Sequence, residues 1–126
     1  MPSTRYVWLV CGLAVLSLDT VGSLAAYHWG FDYGTLSGIS YLIYFCAGVG
    51  AGRVAGIRAG GIAGGVTALV DATLGRAIAS ALRATPTPPA NRPLEIVIVA
   101  LVVILTGCLL GLLGGLLGKY AHRALG

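Results

Sequence analysis

Residues Gly48 to Gly65 read GVGAGRVAGIRAGGIAGG, with glycine at 48, 52, 56, 60 and 64 and only two charges, Arg53 and Arg58. Residues four apart share one face of an α-helix, so this spacing lines that face with hydrogen atoms in place of side chains. Glycines beside arginines also raise phosphate binding, and two departures speak against it. Gly48, Gly50 and Gly52 give GxGxG, but the third glycine of a dinucleotide fingerprint falls at position 53, which is Arg53. The Gly-Lys-Ser or Gly-Lys-Thr of a P-loop is absent. The stretch reads as a packing seam folded back at a tight turn.

Working outward, the seam lies between two long apolar runs, and one more run lies beyond each of these. Helices are expected at about 6–27, 35–55, 60–82 and 94–118, each longer than the roughly 20 residues that cross a bilayer core. None alternates polar with apolar residues as a membrane barrel strand does. Hydrophobic residues make up 57% of the 126 and charged residues 10%, against about a quarter charged in soluble domains. A soluble chain of this length has no interior large enough for that apolar surface. The expected fold is therefore all-α, a single polytopic membrane bundle of four transmembrane helices with glycine-spaced seams.

The first run carries one acid, Asp19, and Arg5 ahead of it. Ser23-Leu24-Ala25 resembles a signal-peptide cleavage site, but apolar character continues right up to it, and a retained helix is the preferred reading. Tyr27, Trp29, Phe31 and Tyr33 then cluster as aromatic anchors do at a membrane surface. On the second helix Ser40, Tyr44, Gly48, Gly52 and Gly56 share a face. Between the third and fourth runs, ATPTPPANRP (Ala84 to Pro93) is too rich in proline for helix and is expected as a loop outside the bilayer. Gly107, Gly111 and Gly115 repeat the spacing of four on the last helix.

Orientation follows from the basic residues. With both termini cytoplasmic, Arg5, Arg53, Arg58, Lys119 and Arg123 lie inside, and Arg83 and Arg92 outside. This satisfies the positive-inside tendency and places the chain in a cell membrane, with the bacterial inner membrane as its expected location.

Close backbone approach is the expected task of Gly48, Gly52, Gly56, Gly60, Gly64, Gly107, Gly111 and Gly115. Burial from water does not drive helices together in lipid, whereas small residues at i, i+4 let backbones pack. A seam can join helices within one chain or join two copies, so a homodimer through a glycine face is a second expectation.

Asp19, Asp71 and Arg76 fall inside the apolar runs. A charge at mid-bilayer costs about 2.5–3.5 kcal/mol, so such groups face the interior and find partners. At about 1.5 Å per residue, Arg76 lies roughly 9 Å from the outer end of its helix, Asp19 about 12 Å and Asp71 about 16 Å. Tyr41, Tyr44 and Thr106 fall at about 9, 14 and 18 Å, so one polar cluster would hold all six. Asp71 and Arg76 are about 140° apart on an α-helix, which makes Arg76 better suited to bridge Asp71 and Asp19 between helices. Two acids with one base leave one negative charge over, the feature that points to an ion or a proton.

Other chemistry is poorly represented. Cys11, Cys46 and Cys108 are widely spaced in apolar runs, as inert buried thiols are, and form no metal-site pattern. His28 and His122 belong to opposite membrane faces, and no catalytic triad or HExxH is present. The expectation is a protein that is not an enzyme and carries neither cofactor nor metal. The net charge of +4 comes from isolated residues without a basic stripe, unlike a nucleic-acid binder. Lipid is the expected partner. The expected role is structural or accessory, with a small transporter or channel using Asp19, Asp71 and Arg76 as the alternative.

The segment AGVGAGRVAGIRAGGIAGG resembles the inner turn of small bacterial four-helix membrane proteins. In these an AGR-x-AG turn joins the second and third helices, and glycines mark the last. Gly48 to Gly75 and Gly107 to Gly118, about a third of the chain, carry the resemblance, which implies architecture and no catalytic residue. Small multidrug transporters are similar in length but place a Glu where this chain has Asp19, and they lack the glycine turn. Fluoride channels are similar in size, but their Asn- and Phe-containing motifs are not present.

Overall fold

A computed structural model describes residues 4–30, 37–82 and 92–125. Helices span Thr4–Trp29 (α1), Ser37–Ala55 (α2), Ile57–Val70 (α3), Arg76–Ala81 (α4) and Pro93–Leu125 (α5). A π-helical turn, Asp71–Gly75, joins α3 to α4 without a break in direction. The fold is all-α. Of the loop expected at Ala84 to Pro93, residues 84–91 lie outside the described residues, and Pro93 is instead the first residue of α5. Proline suits that position, where its missing N–H has no partner to lose.

Glycine sets two of the helix ends. Gly30, with φ 64°, follows α1 in the left-handed conformation that only glycine adopts without strain. Gly56, with φ 86°, separates α2 from α3 by a single residue. Its N–H donates to the Gly52 carbonyl at 3.0 Å, and its own carbonyl accepts from the Gly60 N–H at 3.2 Å. The inner turn is therefore one residue, and helix resumes at Ile57, earlier than the 60 expected. At the other end α5 continues past Gly118 to Leu125, because AHRAL sustains helix after the apolar run has ended.

α5 packs against both α3 and α2, and these two also pack on each other. α1 lies on the outside of α2, α3, the π turn and α4. Among the described residues the fully buried apolar ones are Tyr44, Ala47, Ala51, Ala63 and Ala68. Leucine, isoleucine and valine sit mostly outside. Among the described residues, two helices are long and apolar enough to cross a membrane, α2 and the Pro93–Ala121 portion of α5. The expected third span is divided among successive segments of 14, 5 and 6 residues, each short of spanning length taken alone, which follow one another without a break from Ile57 to Ala81.

Candidate functional site

The seam glycines occupy the junction of α2, α3 and α5. A methyl group at Gly60 would lie 2.6 Å from Cα of Gly115, 2.7 Å from the Gly111 carbonyl oxygen and 3.0 Å from that of Gly48. One at Gly52 would lie 2.5 Å from Gly115 Cα, and Gly64 faces Gly107 and Gly111 in the same way. Backbone meets backbone at each of these points, which no side chain permits. Gly56 is the exception among the eight: no atom lies within 4 Å of where its Cβ would be, and its role is the turn. The other seven faces are filled by the chain itself.

The polar residues lie farther along the same helices. Tyr44 is 0% exposed, and its hydroxyl donates to an Asp71 carboxylate oxygen. This bond ties α2 to the start of the π turn. Tyr41, one turn before, sets its ring edge-on to Tyr44 at 5.9 Å between centroids. Ser40, nearly buried, continues the face.

The π turn alters the relation between Asp71 and Arg76. The Arg76 N–H donates to the Asp71 carbonyl, an i→i+5 bond that stacks the two residues on one side in place of the 140° of an α-helix. Even so, among the described residues no ion pair joins Arg76 to Asp71; the carboxylate takes its hydrogen bond from Tyr44. The ion pair found there, Arg92 with Glu95 at 2.9 Å, is solvent-facing at the start of α5. Asp19 lies on α1, and its side chain falls outside the described residues, so its expected bridge to Arg76 does too.

Thr106 does not join the cluster. Its hydroxyl donates to the Val102 carbonyl at 2.8 Å, the back-bonding common for threonine within a helix. Thr20 and Thr67 do the same to Leu16 and Ala63. Cys46 is exposed on α2, and Cys108 is half-buried beside Gly65, so the buried-thiol expectation fails for Cys46. The side chains of Cys11, His122 and Arg123 lie outside the described residues.

Sequence reasoning missed the burial of Ser23, which reads there only as part of a possible cleavage site. Its hydroxyl is fully buried on α1 and, among the described residues, makes no hydrogen bond. A neighbouring groove between α1 and the end of α4 is lined by Leu24, Tyr27, His28, Ala81 and Leu82. An unpaired buried hydroxyl costs about 1–3 kcal/mol. Ser23→Ala is expected to raise the thermal midpoint of the purified protein, and a lowered midpoint would assign the hydroxyl a bridging partner.

What this geometry can do is limited. A buried phenol bonded to a carboxylate can fix helix register, and it can hold a proton or cation if water reaches it. No protein-family profile matches the chain, and no curated protein or solved structure is significantly similar to it.

Proposed function

We propose that this chain is an integral membrane protein of structural or accessory role, a polytopic four-helix bundle held by its glycine seam. One observation carries the reading: the chain is packed inside out. Glycine and alanine fill the interior, while Leu101, Leu105, Leu109, Leu113 and Leu117 on α5 are all more than half exposed. Only 11% of the most apolar window of α5 is buried within the chain. A core helix of a soluble protein would be mostly covered, and an apolar face of this extent needs lipid as its solvent. The cations Arg5, Arg53, Arg58 and Lys119 support placing both termini in the cytoplasm of a bacterial cell. Membranes washed with alkaline carbonate are expected to retain the protein. Release into the supernatant, or a soluble monomer without detergent, would end this reading.

The pairing of buried Tyr44 with half-buried Asp71 at a π turn favours a second reading, a small transporter or channel for an ion or proton. π turns inside helices often mark functional sites, and an acid within a spanning helix is a functional candidate by default. Asp71→Asn keeps the shape of the side chain and removes its charge. In proteoliposomes it is expected to abolish flux while leaving the fold intact. A folded parent protein without flux under any ion or proton gradient would leave the structural role.

A further inference from the structure

We infer that the corner between the α2–α3 turn and the end of α5 binds the phosphate of an anionic phospholipid. The inference rests on the membrane reading above and deepens it by naming a partner. Three cations are carried by the backbone around this corner. Arg53 and Arg58 are exposed on either side of the Gly56 turn, and Lys119 is half-buried on α5. Their proximity is fixed by the seam: a methyl at Gly118 would lie 3.1 Å from the Arg53 nitrogen, and one at Gly115 2.9 Å from the Ile57 carbonyl oxygen. Lys119 follows Gly118 directly and stands one helical turn beyond Gly115.

The shape suits a headgroup. α2 ends at Ala55 and reverses at Gly56, whereas α5 runs on from Gly118 to Leu125, about 10 Å farther. The turn forms a floor and the projecting helix a wall. Nothing stands within 4 Å of the Cβ position at Gly56, so the floor is open, and no side chain caps the first N–H groups of α3 beside it. Among the described residues none of the three cations forms an ion pair, in contrast to Arg92 at the opposite end. Exposed Leu116 and Leu112, three and seven residues before Lys119 on its own side of α5, descend from the corner, where the acyl chains of the same lipid would lie. A basic recess between helices at the cytoplasmic surface is the arrangement that selects acidic headgroups.

The test uses the full chain in a neutral detergent, with its melting temperature followed as lipid is added. Phosphatidylglycerol is expected to raise the melting temperature by several degrees, as a ligand of the folded state does, and phosphatidylcholine is expected to leave it unchanged. In the variant Arg53→Gln/Arg58→Gln/Lys119→Gln the phosphatidylglycerol shift disappears, and in Arg92→Gln it persists. Should the triple variant not fold, native mass spectrometry of the parent must show retained phosphatidylglycerol in preference to phosphatidylcholine. Equal shifts with both lipids, equal retention of both, or a full shift in the triple variant would overturn the inference. Inorganic phosphate reproducing the whole shift would overturn the lipid as its source. A protein that stays in washed membranes yet shows no headgroup preference refutes only this inference and leaves the membrane reading standing.

Discussion

Gly111→Leu is expected to abolish the folded bundle. A Cβ at this position would lie 2.9 Å from Gly64 Cα and 3.0 Å from Gly64 nitrogen, with the Gly60 carbonyl oxygen nearer still. All three neighbours are backbone atoms on α3, so no rotamer change relieves the clash. Either α3 and α5 separate or a helix deforms. Ordinary overpacking costs about 1–3 kcal/mol, and an isobutyl group wedged between two backbones should exceed that range, comparable with the whole stability of a small domain. Size-exclusion chromatography and thermal melts in detergent read the outcome directly. Two controls separate sterics from helix propensity. At Gly61 the nearest atom is Leu112 Cδ2 at 2.7 Å, the end of a flexible side chain, so Gly61→Ala should be mild. At Gly12 nothing lies within 4 Å, and Gly12→Ala should be neutral or stabilising by up to about 1 kcal/mol. A Gly111→Leu protein that melts like the parent would contradict the seam.

Tyr44→Phe is expected to have the next largest effect. The ring stays and fills the same space, but the Asp71 carboxylate loses its only hydrogen bond among the described residues. Hydrogen bonds to charged groups are worth about 1.5–3 kcal/mol, so a destabilisation of about 2 kcal/mol is expected in detergent. The double variant Tyr44→Phe/Asp71→Leu removes both partners and should recover much of that loss, since replacing a whole buried pair with apolar groups can be nearly neutral. Equal stability of Tyr44→Phe and parent would mean that the pair does not hold α2 to the π turn.

The glycine spacing made the seam legible because helix periodicity and close approach are both local consequences of having no Cβ. What periodicity could not show was which helix fills each face. Gly48 and Gly60 both converge on Gly111, and that pairing depends on a turn of one residue at Gly56. The polar site was legible as a set of levels along the helices but not as a set of bonds. Depth placed Tyr44 near Asp71, whereas the angular argument assumed an unbroken α-helix that the π turn replaces. Nothing in the string DATLG announces an i→i+5 bond. Depth also placed Thr106 among the polar groups, yet a threonine inside a helix can satisfy itself on its own backbone. Ser23 reads in the sequence only as part of a possible cleavage site, because a serine in an apolar run gives no sign of a buried hydroxyl until its burial is known.

The inside-out packing is the central claim, and the outer face of α5 tests it most directly. Leu109 is 63% exposed near the middle of α5. It lies two residues from the buried Gly107, about 200° around the helix. A nitroxide placed there through Leu109→Cys, with the native cysteines replaced by serine and the protein reconstituted in liposomes, reports its surroundings by electron paramagnetic resonance. The expected result is high accessibility to molecular oxygen, which concentrates in the hydrocarbon, and low accessibility to a water-soluble nickel complex. Relaxation dominated by the nickel complex would place this leucine face in water and contradict the account.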